Sequence, residues 1–353
     1  MNARSAALAS LLAFAFSCAA PIASEEVSVP APAERAGVHV AVEDVETEAP
    51  ALRASGLPHV VIAAHGPKIL LDAEPDEAWS QGAPELVSAA VPVVTRRGVD
   101  LAKVPAGYTG FVGARVTLVD AKGARCEARV SGLSLVGRVD PEPDTVEGWN
   151  DAIAGKAPAV PGEARLSRAA IAAEAWTMSK GGHGLVADLD AVTPGCEAPV
   201  VALVGDVDLA AARDAGDAVH QDAIRALRAL PEWSAAQAEL ETFDPHAGPW
   251  DVFEEGSADV RAIQAGGRSF VWVSASHDGG CGGFHGDVAA LFERKAGGLS
   301  LVSVVKDTHG AALAGLAVSG GSIALHFPET RIVLGGAEPA RVTLDVPFFG
   351  CPC

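Results

Sequence analysis

The sequence predicts an α+β protein: a mixed strand-and-helix first half, residues 58–245, followed by an antiparallel β meander over 265–353, sandwich-like or an open sheet. Three observations predict it. Short β-branched runs separated by turn residues fill the chain from residue 268 onward. Ala-rich stretches with apolar residues at helical spacing lie between 164 and 241. Strand and helix signals alternate before residue 245. The two regions read as two domains or as one continuous domain.

The elements follow in order. His59 to Ala64 and Ile69 to Leu71 read as short strands. Phe111 to Val119 and Ala124 to Val130 flank the turn Asp120-Ala121-Lys122-Gly123, which predicts a hairpin. Residues 139–163 are rich in Asp, Pro and Gly and read as a loop with a short helix over Val146 to Ile153. Residues 164–176 are Ala-rich and helical in character. Gly184 to Leu189 and Val200 to Val204 read as strands around the turn Pro194-Gly195-Cys196. Leu209 to Leu230 is the clearest helix, with Asp206 or Asp208 as candidate caps, and Pro231 separates it from a helix over Glu232 to Glu241. Strands are then predicted over Phe270 to Ser274, Val288 to Phe292, Leu299 to Val305, Ser322 to Phe327, Arg331 to Leu334 and Arg341 to Val346. Gly110-Phe111-Val112-Gly113 before the first hairpin echoes Gly283-Phe284-His285-Gly286 before the second.

Composition narrows the function classes. The 353 residues carry 26 basic and 45 acidic side chains, a net charge of −19, and 49% are hydrophobic. A chain this apolar buries a core. An acidic balance excludes the basic face that phosphate recognition needs, so no nucleic-acid partner is expected.

Residues 1–24 have the layout of a secretory signal peptide: Arg4, an apolar run over Ala6 to Phe16, then small residues. Cleavage near Ala23 or Ser24 would release a soluble protein. Cleavage before Cys18 would lipidate that thiol, because Ala15-Phe16-Ser17-Cys18 resembles a bacterial lipobox without its usual Leu. Membrane contact is expected only through such an anchor. Residues 25–57 are acidic and rich in Pro and Ala, which predicts a disordered tether.

In an oxidising compartment the remaining cysteines are expected in disulfides. Cys126 would pair with Cys196, and Cys281 with Cys351 or Cys353. Each bridge closes a loop of about 70 residues, worth roughly 3–4 kcal/mol in the chain-entropy model. The cysteine left over near the C-terminus would be free or would join two molecules.

One loop concentrates metal-ligating side chains. Residues 277–287 place His277, Cys281, His285 and Asp287 among five glycines. Imidazole and thiolate suit Zn or Cu, and the glycines permit a tight approach. A disulfide at Cys281 excludes that site, since a disulfide sulfur is no thiolate ligand. No catalytic residue is assigned, because no nucleophile-elbow, zinc-protease, phosphate-loop or dinucleotide motif occurs. No cofactor is expected unless the loop holds Zn or Cu. The features together point to an exported bacterial envelope, periplasmic or secreted protein, a non-enzymatic binding or structural module. The alternative is a metal-binding protein or metal-dependent hydrolase built on His277, Cys281 and His285.

Overall fold

The computed structural model describes residues 57–156, 166–190, 192–252, 257–279, 283–308, 310–335 and 339–349, all within the unit Glu48–Cys353. The signal segment with Cys18, tether residues 25–56, Cys281, Cys351 and Cys353 lie outside them. Strands make up 47% and helices 21%, so the protein is largely β and less helical than the α+β label implies. Among the described residues no helix is long and apolar enough to cross a membrane.

Strands β1 (His59–Ala63) and β2 (Pro67–Asp72) open the fold, followed by β3 (Ser80–Ser88) and β4 (Val93–Val99). The one-turn helix α1 (Ala106–Thr109) precedes β5 (Arg115–Asp120) and the 17-residue β6 (Arg125–Pro141). Helices α2 (Pro143–Ile153) and α3 (Arg168–Met178) lead to β7 (His183–Asp190) and β8 (Pro199–Leu203). Antiparallel pairing runs β6–β5–β8–β1–β2–β7 and returns to β6, so six strands close into a barrel. The length of β6 makes closure possible: residues 125–129 pair β5, while 129–137 pair β7. Alternation fills the barrel with Val61, Ile69, Leu71, Leu118, Leu135 and Leu185. Phe111, fully buried, joins that interior cluster.

The second region begins with the two-residue strands β9 (Ala210–Ala211) and β10 (Arg213–Asp214), then α4 (Asp217–Arg228) and α5 (Pro231–Phe243). Next come β11 (Ser257–Ala265), β12 (Arg268–Asp278), β13 (His285–Lys295) and β14 (Gly298–Val305). The chain continues with β15 (Gly315–Ser319), β16 (Ser322–Phe327), β17 (Thr330–Leu334), β18 (Ala340–Thr343) and β19 (Phe348–Phe349). Two five-stranded antiparallel sheets result, β10 to β14 in chain order and β18-β17-β16-β15-β9. They pack face to face through Phe270, Trp272 and Leu291 on one side and Leu316, Leu325 and Ile332 on the other. Helices α4 and α5, with Trp250, cover the far face of the outer sheet. The far face of the central sheet packs Ala317 and Ala324 against Val119, Val201 and Leu203 of the barrel. The central sheet is therefore a layer buried on both sides. Strand β19 returns to pair with β6 in parallel.

The second region matches the expected meander, sandwich-like in its packing. The first half differs from the expectation. It is a barrel, with α2 and α3 packed beside its β3–β4 extension through Val93, Trp149 and Ile171. Strands β3, β4, β11 and β15, and the two-residue β9, β10 and β19, were not expected from the sequence. The predicted strand over Phe111 to Val119 starts only at Arg115. The predicted end at Val130 falls in the middle of β6; Gly132 and Gly137 mask its continuation. A Cβ on Gly137 would lie 3.0 Å from both His183 and Thr95, so this glycine serves close packing.

The helix expected over Leu209 to Leu230 starts at Asp217. Gly216 caps it without a side-chain bond, and neither Asp206 nor Asp208 takes that role. Alanine content is a weak prior, and here pairing of Ala210 with Leu316 overrides it. Those pairings also put the changeover between regions near residues 204–209 rather than 245–265. Leu57, counted with the tether, is buried beside Val119 and Leu203.

Candidate binding site between the barrel and the central sheet

Register decides which side chains of the central sheet face the barrel. Arg331 pairs with His326 on β16 and with Val342 on β18, so these three share a face. Leu325, Phe327 and Ile332 point the other way, into the sandwich core. Strand β1 approaches that face at its start. The Arg331 Nη1 donates to the carbonyl of Pro58 at 2.7 Å. His59 follows, buried, with its ring edge-on to Phe111 at 5.2 Å.

His59, His326 and Arg331 thus form a buried, nitrogen-rich cluster. Among the described residues, His59 Nδ1, His326 Nε2 and Arg331 Nε meet no hydrogen-bond partner. Burial, reinforced by the nearby Arg331 charge, pushes His59 down to about 4. Burial, Arg331 and His59 together push His326 down to about 3. Burial also lowers Arg331 from its ordinary value. The histidines are neutral at pH 7, which leaves Arg331 as the cation of the cluster.

Other arginines in buried settings have carboxylates. Arg138 donates to Glu329 at 2.8 Å. Arg228 grips the fully buried Asp251 through Nε and Nη2 at 3.0 and 3.1 Å. Arg331 has no ion pair among the described residues, although a buried charge is costly without one.

A cavity of about 370 Å³ opens beside Arg331. Strands β1 and β2 contribute Val60, Leu70, Leu71 and Asp72 to its lining, followed by Ala73 and Glu74; α1 contributes Tyr108 and β18 contributes Val342. The Tyr108 hydroxyl donates to Asp72 Oδ2 at 2.7 Å, and Asp72 Oδ1 accepts from the Glu74 amide at 2.9 Å. Burial and the contact with Asp72 raise Tyr108 above its ordinary value. Arg341 also borders the cavity, but its Nη2 donates to the Lys306 carbonyl at 2.8 Å. The result is an apolar wall with the buried Arg331 and the exposed Arg341 on one side and carboxylates on another. A second cavity, about 580 Å³ and mostly apolar, lies beside Ile62, Pro199 and Glu329. There Glu329 accepts from the Ala63 amide and from Arg138, tying the β16–β17 turn to the barrel.

The 277–287 loop is the connection of the β12–β13 hairpin. Asp278 pairs with His285, His277 with Gly286, and Ser276 with Asp287. Alternation puts His285, Asp278 and Asp287 on one face and His277 on the other. His277 is buried against Phe284, with ring centroids 5.3 Å apart. His285 is exposed and pairs with Asp278 at 3.1 Å. Asp287 accepts from Thr308 at 2.7 Å. The hairpin therefore does not bring His277 and His285 together, and among the described residues no cluster of three metal-ligating side chains occurs. Cys281 and its proposed partner Cys351 lie outside the described residues.

The Cys126–Cys196 disulfide is present, with Cα atoms 5.6 Å apart. It joins β6 to the β7–β8 connection.

A second constellation has no signature in local sequence. His183 Nε2 lies 3.1 Å from Ser179 Oγ, and its Nδ1 lies 3.4 Å from Glu77. The order of atoms resembles a serine–histidine–acid relay. Ser179 is fully buried, however, and its hydroxyl donates to the Trp176 carbonyl at the end of α3. His183 stacks on Trp176 at 3.9 Å. A sealed hydroxyl has no access to substrate, so this group holds the α3–β7 junction.

Arg331, His59 and His326 were missed as site residues. The available signal was a charged or imidazole side chain inside an apolar strand: Leu325-His326-Phe327 and Thr330-Arg331-Ile332. No protein-family model, curated protein or solved structure matches this chain.

Proposed function

We propose that this chain is an exported, non-enzymatic binding module whose ligand site is the cavity beside Arg331. The supporting observation is a buried arginine, with no ion pair among the described residues, bordering a cavity large enough for a small molecule. Export rests on residues 1–24 and fits the Cys126–Cys196 disulfide. Zinc or copper binding is the weaker reading, because His277 and His285 occupy opposite faces of their hairpin.

The test is thermal unfolding of the purified protein against a panel of small metabolites. Compounds that fill the cavity raise Tm in the parent and lose that effect in Ala73→Trp, which blocks it. Stabilisation that survives Ala73→Trp places the site elsewhere. Mass spectrometry of the membrane fraction tests the anchor: an acylated Cys18 peptide supports lipidation, and a free N-terminus at Ser24 or Glu25 excludes it.

A further inference from the structure

The chemistry around the cavity narrows its ligand, given that the cavity is the binding site. Arg331 presents a buried guanidinium whose Nη1 is engaged by Pro58 and whose Nε is not engaged. An anion beside the guanidinium would relieve the cost of the unpaired charge. A carboxylate suits a guanidinium because its two oxygens match neighbouring N–H groups. The anion would not be multivalent. Asp72 and Glu74 line the same space, and a phosphate or sulfate dianion would meet their repulsion. Those carboxylates favour instead a ligand that brings a positive or hydrogen-donating group to their side. Asp72 keeps acceptor capacity beyond its bonds to Tyr108 and Glu74, since an ionised carboxylate offers about four lone-pair sites. Between the poles, Leu70, Leu71 and Val342 offer apolar contact.

We propose that the cavity binds a small zwitterion of the amino-acid type, its carboxylate toward Arg331 and its ammonium toward Asp72 and Glu74, with a modest apolar side chain against Leu70 and Val342. The pairing spans two distant parts of the sequence, so the site exists only where the barrel and the central sheet meet.

Calorimetric titration of the purified protein with leucine, propionate, propylamine and sulfate tests this. Leucine is expected to bind at least tenfold more tightly than propionate or propylamine, and sulfate more weakly than propionate. Glu74→Gln changes an exposed side chain. It is expected to narrow the gap between leucine and propionate by threefold or more. Arg331→Gln is expected to abolish leucine and propionate binding; a folded Arg331→Gln protein that still binds leucine overturns the proposal. If Arg331→Gln fails to fold, the Glu74→Gln comparison decides alone. Sulfate binding more tightly than leucine, or propionate matching leucine in the parent, also overturns it. The two readings separate cleanly. A neutral compound whose stabilisation disappears in Ala73→Trp leaves the cavity as the binding site and sinks the zwitterion. Leucine binding unchanged by Ala73→Trp sinks the cavity reading.

Discussion

The two Gly-Phe-x-Gly segments repeat one local pattern in two settings. Gly110-Phe111-Val112-Gly113 leads into β5, and Gly283-Phe284-His285-Gly286 leads into β13. Both bury the phenylalanine against a histidine, at 5.2 Å for His59 and 5.3 Å for His277. The surroundings then diverge. Phe111 joins the core inside the barrel, beside a histidine that sits near an unpaired arginine. Phe284 packs against Trp250 under α5, with ring centroids 6.1 Å apart. Local sequence places an aromatic ring in the core in both cases. The charge near one of them comes from Arg331 on β17, more than 200 residues further along the chain.

The largest effect should come from Phe111→Ala. A barrel interior closed by hydrogen bonding has little freedom to collapse, so the expected cost is about 3–5 kcal/mol in denaturant unfolding. Phe284→Ala should cost less than Phe111→Ala, because the helices over that sheet can shift to fill the gap. Equal costs would mean that the two settings are mechanically alike.

Acid comes next. His59 and His326 sit below the ordinary histidine value of 6.5, at about 4 and about 3. The unfolded chain therefore takes up protons first as pH falls. Stability is full above about pH 6.5 and declines as pH drops through the window from 6.5 toward 4 and then 3, by on the order of 3 kcal/mol for each histidine. His59→Phe should roughly halve the slope of that decline between pH 6.5 and 4, because His326 still contributes there. A decline identical in the parent and the variant would show that His59 does not contribute to it.

The final glycines of the two motifs are required for different reasons. A Cβ on Gly286 would come within 2.7 Å of the Trp250 ring, so Gly286→Ala should cost about 1–3 kcal/mol through overpacking. Gly113 has open space around it but a φ of 83°, and Gly113→Ala should cost about 1 kcal/mol through backbone strain. Gly113→Asn separates the two mechanisms, since asparagine tolerates positive φ; it should cost less than Gly113→Ala.

The smallest effect is expected from His285→Ala. Its pair with Asp278 is exposed on both sides, and removal should change stability by less than about 0.5 kcal/mol. A larger loss, or one that depends on added zinc, would revive the metal reading of this hairpin.

Much of the second region was legible because its strands are short and its turns carry strong signals. Lys295-Ala296-Gly297-Gly298 and Pro328-Glu329-Thr330, rich in turn residues, fall at hairpin connections. The barrel was not legible. Its closure depends on one long strand pairing on both edges, and pairing partners leave no trace in local periodicity. The site was least legible of all. Arg331 in isolation reads as the polar position of a half-exposed strand, whereas the structure buries that face against another layer. Residues 277–287 drew attention by their composition, yet strand alternation separates His277 from His285.

The sequence by itself determined the strand-rich character of the second region and the turns that divide its strands. Those properties follow from local propensity and turn chemistry. Tertiary structure alone decided barrel closure, the burial of the central sheet on both faces, and the meeting of Arg331 with His59, Asp72 and Tyr108. The physical reason is that a charge's environment is set by whatever packs over it, and here that cover comes from the opposite end of the chain.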